Sequence, residues 1–385
     1  MPTTTRTAPG TSALLPSETV VARIRRHIEA GTTDVADGTW NEPVDNYRND
    51  ARFTNELAML RSTAVPFCPS AAIARPGDYI ARDSAGVPIV AARGNDGVVR
   101  AFRNACRHRG AAVVCGEGHA ASFVCPYHGW VYQLDGRLRR VPHDQGFPDL
   151  DIASTGLAEL PAFERHGLVF VRQQPSAPSA SVDDLDDLDE LAGVITVDYH
   201  YDGFGEAEQP VNWKLLVETF LEGYHIRFLH HDTFFPVQYD NVNVVESFGP
   251  NSRITFPYQN IARPFDTSDE MAVRGRMTYV HHLFPNVMLA TFPGQILMIV
   301  LDPVTVDRTL VTTFAWRVGE AEARPGNPNL LNDGAAQDFA IARTIQHGLA
   351  SGANDHLRFG LYEGAIAHFH RTLDAALAAI GEKLS

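Results

Sequence analysis

The sequence predicts an α+β protein in which an all-β domain precedes a domain with an antiparallel sheet flanked by helices. Two observations predict this fold class. Between residues 78 and 172, short apolar runs such as VPIVAARG and HGLVFVRQ alternate with turn signals that contain glycine, as in antiparallel sheets. From residue 211 onward, five further strand-like runs lie between helical patterns.

The predicted organisation has four parts. Residues 1–16 carry one arginine and lack the apolar core of a secretory signal, so we expect a disordered leader. Residues 17–60 are expected to form a helical segment that packs on the second domain. The all-β domain is predicted over residues 61–175, where the stretch QQPSAPSAS resembles a linker, and the second domain over residues 176–385.

The individual elements follow from local signals. Ser17 can cap a first helix that Gly31 ends. Residues 182–192, VDDLDDLDELA, predict a short acidic helix with one apolar edge. In the second domain a helix is predicted at residues 211–231. Strands are predicted at 253–258, 277–283, 286–291, 296–301 and 309–317, and helices at 335–350 and 357–382.

Composition excludes several classes of function. The net charge of the 385 residues is −14, which argues against a nucleic-acid partner. No run approaches 18 apolar residues, so we expect no membrane span. The four cysteines do not suggest a disulfide framework, and they fit a protein of the reducing cytoplasm.

Two short stretches each combine one cysteine with one histidine. They are NACRHRG at residues 104–110 and CPYHGW at residues 125–130, which give the spacings C-x-H and C-x-x-H. Zinc sites usually show C-x2-C and H-x3-5-H spacings. A [2Fe–2S] cluster with two cysteines on one iron and two histidines on the other is the alternative, and it matches this arrangement better.

The stretch NACRHRGAAVVCGEG, followed by FVCPYHGWVYQLDGRL, resembles the Rieske domain of the Rieske non-haem iron oxygenases. The resemblance implies that Cys106 and Cys125 hold one iron while His108 and His128 hold the other. Cys68 and Cys115 lie off the ligand spacing, and we interpret them as plain thiols.

A second motif, NWKLLVETFLEGYHIRFLH, occupies residues 212–230. It resembles the catalytic-domain motif of the same family, which implies that His225 and His230 bind a mononuclear ferrous iron. His231 is the fallback for His230. Oxygen-activating iron usually has two histidines and one carboxylate as ligands, so a third ligand is expected further along the chain.

Three aspartates are candidates for this carboxylate: Asp333, Asp338 and Asp355. On a helix, Asp338 would share a stripe with Ala342 and Leu349 and would face the apolar interior. A buried carboxylate is costly unless it is paired or bound to a metal. We therefore favour Asp338, while a helix-terminal role and the two other aspartates stay open.

Glu222 stands three residues before His225, where the family usually has aspartate. By resemblance it would link His225 to His128 of a neighbouring subunit, since a glutamate can accept both imidazole N–H groups. A glutamate here also resembles the carnitine-type branch, which oxidises quaternary ammonium compounds. Tyr224 and Asn212 are further candidates for residues that support the site, with packing or helix capping as the alternative.

The resemblance implies the terminal oxygenase (alpha) component of a multicomponent system, with one [2Fe–2S] cluster and one Fe(II) per subunit. Electrons would come from a ferredoxin or flavin reductase, and the chain would form a homotrimer, with or without a beta subunit. The expected reaction hydroxylates or dihydroxylates a small aromatic substrate. A monooxygenase or demethylase of quaternary ammonium or O/N-methyl compounds is the alternative. An electron-transfer protein without the mononuclear iron and a zinc-binding structural protein are the rivals.

Two groups of residues invite weaker hypotheses. Between residues 100 and 140 arginines outnumber acidic residues by seven to two, which predicts docking of an acidic electron donor unless the arginines only brace the cluster loops. Several residues could line an apolar pocket or equally belong to the core; they are Phe228, Phe234, Phe235, Phe256, Tyr258 and Met288.

Overall fold

The computed structural model describes residues 14–174, 188–196, 198–318 and 329–384. The helices are α1 (Ser17–Ala30), α2 (Asp50–Ser62), α3 (Trp213–Phe220), α4 (Ile226–Leu229), α5 (Glu270–Arg274), α6 (Leu330–Leu349) and α7 (Gly364–Leu384).

The strands are β1 (Trp40–Pro43), β2 (Val65–Pro69), β3 (Asp78–Ser84), β4 (Val87–Arg93), β5 (Val99–Arg103), β6 (Gly116–His119), β7 (Phe123–Val124), β8 (Val131–Tyr132), β9 (Leu138–Arg140), β10 (Glu159–Leu160), β11 (Ala162–Arg165), β12 (Leu168–Val171), β13 (Tyr199–Gln209), β14 (Val244–Phe248), β15 (Asn251–Pro257), β16 (Met277–Leu283), β17 (Val287–Phe292), β18 (Gln295–Thr305), β19 (Arg308–Val318) and β20 (His356–Phe359).

The all-β part consists of three small sheets with the strand orders β10-β5-β4-β3-β6, β11-β12-β2 and β7-β8-β9. The strands of these three sheets pair antiparallel. The sheet of β7, β8 and β9 is short because its strands connect loops that carry the Cys and His motifs. A separate apolar cluster, which includes Phe123, Trp130 and Tyr132, packs beneath these loops.

The second part is built on an antiparallel sheet with the strand order β13-β19-β18-β17-β16-β15-β14. One face of this sheet packs with α3, α6 and α7 in a large apolar core that includes Trp213, Ala342 and Phe369. Burial of each large side chain stabilises the fold by roughly 1.5–3 kcal/mol. This core therefore fixes the helices that carry the second motif and the candidate aspartates.

A buried ion pair joins the two parts. Arg82 of β3 donates from Nη1 to Asp302 Oδ2 of β18 at 2.8 Å, and the side chains are 0% and 3% exposed. Asp302 Oδ1 also accepts from the Ser84 hydroxyl at 3.2 Å and from the Ala85 backbone N–H at 2.8 Å. The carboxylate thus holds the β3–β4 turn against the second sheet.

The structure corrects several predicted elements. The helix predicted over 211–231 is interrupted between α3 and α4, and the helix predicted from 357 begins at Gly364, because residues 356–359 form β20 instead. Strand β20 pairs with β1, a partner more than 300 residues away that no local pattern reveals. The predicted strands are observed with shifts of a few residues, and β13 and β14 were not predicted at all.

Three further predictions concern the chain ends and linkers. Residues 1–13 of the predicted disordered leader lie outside the described residues, whereas the N–H groups of Leu14 and Leu15 are hydrogen-bonded to Glu190 and Glu246. The predicted acidic helix is described only from residue 188, where a single 3-10 turn occurs. The domain boundaries stay predictions. No helix among the described segments is both long and apolar enough to cross a bilayer.

Candidate active site and metal centres

The first site lies at the tips of two similar loops. In one loop the Gly110 N–H donates to the Cys106 carbonyl at 2.8 Å, and in the other the Gly129 N–H donates to the Cys125 carbonyl at 3.0 Å. Both glycines have positive φ, 78° and 71°, which a residue with a Cβ rarely adopts. Each turn thereby places the histidine of its loop, His108 or His128, at the same end of the loop as the cysteine.

The two loops pair the predicted ligands by kind, histidine with histidine and cysteine with cysteine. His108 Nδ1 lies 3.1 Å from His128 Nδ1. Cys106 and Cys125 are buried. Burial raises the pKa of the Cys125 thiol, and a hydrogen bond with Cys106 also raises it. Burial and the neighbouring His128 lower the pKa of His108, which favours the neutral imidazole that binds metals. Two thiols and two converging imidazoles fit a mixed-ligand [2Fe–2S] cluster.

Aromatic side chains enclose this site. Trp130 stacks on His108 with ring centroids 5.1 Å apart and an interplanar angle of 7°. The Tyr132 hydroxyl lies 3.2 Å from Cys106 Sγ and accepts the Arg107 N–H at 2.9 Å. Hydrogen bonds and stacking of this kind hold ligands in place and shield a cluster from water. Sequence reasoning gave neither residue a role, although Trp130 is the last residue of CPYHGW and Tyr132 lies two residues beyond it.

The second site lies between the α3–α4 segment and α6. His225, His230 and Asp338 each present one ligand atom, and these atoms all lie within 4.8 Å of one another. His230 Nε2 is 3.0 Å and His225 Nε2 is 3.7 Å from Asp338 Oδ1. Both His230 Nε2 and Asp338 Oδ1 are buried, and although they lie 3.0 Å apart neither forms a hydrogen bond with any residue that the structure describes. Buried unpaired atoms that converge on one point fit a bound metal ion.

Each histidine of this cluster is oriented through its other ring nitrogen. His225 Nδ1 contacts Glu222 Oε1, and His230 Nδ1 lies 2.8 Å from Gln337 Oε1. Thr233 donates to the same Gln337 oxygen at 2.7 Å. These contacts leave both Nε2 atoms directed at Asp338. In metal sites the ligand histidines are commonly oriented in this way, by hydrogen bonds to their other ring nitrogen.

Glu222 is placed by the turn that interrupts the predicted helix. Its Oε2 accepts the backbone N–H groups of Tyr224 and His225, the latter at 3.1 Å. Gly223 is required in this turn because a Cβ would collide with the Asn243 side chain. Burial lowers the pKa of His225, but the charge of Glu222 outweighs it, with further help from Asp338, so the pKa is raised overall.

The other candidates lie elsewhere. Asp333 and Asp355 are exposed, and neither belongs to the metal cluster found among the described residues. His231 is exposed and bonded to Asp232 at 2.8 Å. Tyr224 is 56% exposed.

Asn212 caps α3 through the Lys214 N–H at 2.9 Å and donates to the carbonyls of Tyr47 and Val306. The contacts of Asn212 are therefore those of a helix cap, the alternative given for it above. Gln337, which contacts His230, was missed because the two residues lie 107 positions apart and share no local pattern. Thr233 was also missed, although it lies only three residues after His230 and its hydroxyl is 3.3 Å from His230 Nδ1.

The residues proposed to line a pocket separate into groups. Phe256 and Met288 belong to the apolar core, and Phe228 is 80% exposed on α4. Phe234 lies beside the candidate iron ligands: the centroid of its ring is 5.0 Å from that of His230.

The seven arginines between residues 100 and 140 differ in their pairing and exposure. Arg100 and Arg137 are paired with Asp96 and Asp135 at 2.7 Å, whereas Arg139 and Arg140 are exposed on β9.

Two family models match the two parts of the chain. Residues 63–161 match the Rieske [2Fe–2S] domain, and residues 188–379 match the ring hydroxylating alpha subunit (catalytic domain). The chain is 28% identical over 359 residues to the carnitine monooxygenase oxygenase subunit of Acinetobacter pittii (strain PHEA-2), which covers 86% of this chain and 94% of that protein.

Two further proteins resemble the chain. The large oxygenase component of the naphthalene 1,2-dioxygenase system of Ralstonia sp is 34% identical over 169 residues, 41% of this chain and 37% of that protein. The structure of a quaternary ammonium Rieske monooxygenase superimposes with a TM-score of 0.76 at 23% identity and covers 96% of this chain and all of that one, 100%. The chain belongs to the Rieske non-haem iron oxygenases, as a terminal oxygenase (alpha) subunit that uses a Rieske [2Fe–2S] cluster and a mononuclear iron.

Proposed function

We propose that this oxygenase subunit is a monooxygenase of a quaternary ammonium compound. The observation that carries the proposal is the contact between the Glu222 carboxylate and His225 Nδ1, because a glutamate at this position resembles the carnitine-type branch. The relative matched over nearly its full length is a carnitine monooxygenase subunit, whereas the naphthalene-type relative matches over less than half of either chain.

We assign the metal ligands as follows. Cys106, Cys125, His108 and His128 hold the [2Fe–2S] cluster. His225, His230 and Asp338 hold the ferrous iron. When bound, the cluster supplies single electrons and the iron supplies dioxygen activation next to the substrate.

The residues of this chain supply orientation and charge. Glu222 and Gln337 accept the Nδ1–H groups of the two histidines, which fixes the tautomer in which each Nε2 is a free electron-pair donor.

Glu222 is also proposed to connect subunits. Its Oε1, which contacts His225 Nδ1, has a second lone pair, so it can also accept an N–H from the exposed His128 of a second copy. A homotrimer, with or without a beta subunit, would supply that second copy. As the test, Glu222→Gln should leave both metals bound but depress substrate-coupled turnover, and coupled turnover equal to that of the parent would remove the bridging role.

The electron donor is proposed to be a ferredoxin or flavin reductase with an acidic surface. Arg139 and Arg140 are exposed and have no ion-pair partner among the described residues, so they are available to it. Raising the salt concentration and the variant Arg139→Glu should both slow electron transfer to the cluster. An unchanged rate in both experiments would exclude this docking surface.

Aromatic hydroxylation is the second candidate. It is favoured by the naphthalene-type relative and by the Phe234 ring beside His230, which could face an aromatic substrate. The deciding experiment measures substrate-dependent oxygen uptake by the holoenzyme with reductase and NAD(P)H. Uptake with carnitine or related trimethylammonium compounds, and none with naphthalene, is expected; the opposite pattern would reverse the assignment.

The metal content should be measured first, on anaerobically purified protein. About three irons and two sulfides per chain are expected if both sites are filled. About two irons, unchanged after ferrous iron is added back, would instead indicate an electron carrier without a mononuclear site.

A further inference from the structure

The two loops that carry the cluster ligands are each closed on themselves. The hydrogen bonds of both turns lie within one loop, and no backbone hydrogen bond joins residues 106–111 to residues 125–130 in the part of the chain that the structure describes. Side-chain contacts are therefore what hold the tip of one loop against the tip of the other. At the buried end, the Tyr132 hydroxyl meets Cys106 Sγ at 3.2 Å and the Arg107 N–H at 2.9 Å.

At the exposed end, a second contact joins the chain neighbours of the two histidines. Arg109 follows His108 in the first loop, and Tyr127 precedes His128 in the second. Arg109 donates from Nη1 to the Tyr127 hydroxyl at 3.0 Å, and its guanidinium carbon lies 5.3 Å from the centroid of the Tyr127 ring. That ring covers His128, with ring centroids 3.7 Å apart and an interplanar angle of 35°. The contact therefore reaches from the residue beside one histidine to the ring of the other.

Two arginines flank His108, but only one of them is held in place. Arg107 and Arg109 are both exposed, and neither has an ion-pair partner among the described residues. The Arg107 side chain also makes no hydrogen bond with those residues, whereas the Arg109 guanidinium is bound by Tyr127. A guanidinium is always protonated and stacks readily on aromatic rings. Arg109 therefore presents a permanent positive charge in a fixed place.

A fixed cation beside the histidine ligands bears on electron uptake. The potential of an iron–sulfur cluster depends on the charge, the hydrogen bonds and the solvent exposure around it. Reduction by the electron donor adds one electron, and so one negative charge, which a neighbouring positive charge stabilises. We propose that Arg109 and Tyr127 act together as positioning residues of the cluster: their contact holds the two histidine loops together and raises the reduction potential through the fixed charge. Both roles rest on the cluster ligands assigned above and not on the identity of the substrate.

The test compares the midpoint potentials of the cluster in the full-length protein, by reductive titration followed by visible circular dichroism. Arg109→Met keeps an unbranched side chain and removes the charge and the donor. The ratio of reduced to oxidised cluster at a given potential should fall severalfold, where tenfold corresponds to about 59 mV for a one-electron couple. Tyr127→Phe keeps the ring and removes only the hydroxyl. It should lower the potential by less, because the guanidinium remains but is no longer held.

The double variant separates joint action from two independent effects. When Arg109→Met and Tyr127→Phe are combined, the shift should equal that of Arg109→Met alone, because the hydroxyl has already lost its donor. The matched control is Arg107→Met, which removes the same charge from the other side of His108 but breaks no contact between the loops. On that background the effect of Tyr127→Phe should persist in full. An equal effect of Tyr127→Phe on both arginine backgrounds would overturn the inference.

The rate of cluster loss is a second readout, measured as the decay of visible absorption in the presence of a chelator. Arg109→Met and Tyr127→Phe should lose the cluster severalfold faster than the parent, and Arg107→Met should not. If Arg109→Met cannot be isolated with its cluster while Arg107→Met can, the contact is supported; equal loss in both arginine variants refutes it. The visible spectrum of the parent reports the ligands themselves, so a failure of the assigned ligands is distinguished from a failure of the contact.

Discussion

Removal of the Asp302 carboxylate should measure how strongly the two parts of the chain are joined. In Asp302→Ala the fully buried Arg82 guanidinium loses its counter-charge, and the Ser84 hydroxyl and the Ala85 N–H lose their acceptor. Breaking a buried ion pair from one side costs about 3–5 kcal/mol, because the remaining charge stays buried and unpaired. The stacking of Arg82 on Phe67, with a distance of 4.4 Å to the ring centroid, does not replace that charge.

The assay is thermal unfolding followed by far-UV circular dichroism and by the visible absorption of the cluster. At about 2–4 °C per kcal/mol, Asp302→Ala should lower Tm by about 6 °C or more. Asp302→Asn keeps one acceptor oxygen, so its Tm should lie between those of the parent and Asp302→Ala. The two probes should shift together if the pair holds both parts in one unfolding unit.

The control is an exposed pair on the same sheet, Arg308 with Glu208, whose side chains are both 47% exposed. Exposed pairs contribute about 0–1 kcal/mol, so Glu208→Ala should change Tm little. Equal shifts in Asp302→Ala and Glu208→Ala would refute the reasoning from burial.

Three further variants address the mononuclear site. Asp338→Ala should lose the mononuclear iron while the cluster spectrum stays intact; retained iron would contradict its assignment as a ligand. Gln337→Leu removes the acceptor of His230 Nδ1 and should weaken iron binding by roughly 10- to 100-fold, as measured by competition with a chelator. Gly334→Ala would drive a Cβ into the Phe234 ring, which packs on His230, and should lower both iron content and Tm; parent values would show that Phe234 can move away.

Matched controls lie on the same helix. Asp333→Ala changes an exposed carboxylate one turn before Asp338 and should keep the iron. Gly348→Ala adds a Cβ that meets no atom within 4 Å, so it should be neutral or slightly stabilising.

The sequence alone indicated the sites because their chemistry is local. Cys106 and His108, like His225 and His230, are separated by a few residues, and the stretches that contain them resemble the motifs of the family. The inward position of Asp338 also followed from the sequence, since a helical stripe through Ala342 predicts which side faces the core, and both residues are buried.

Only the tertiary structure revealed what supports these groups. The bond between Gln337 and His230 joins residues 107 positions apart, and the bond between Arg82 and Asp302 spans 220. The close approach of the Asn243 side chain to Gly223 is likewise a contact that no local pattern reveals. Periodicity reports which face of an element is apolar, but it carries no information about which distant element that face meets. Candidate ligands could therefore be named from the sequence, while the contacts that orient them arise only when the chain folds.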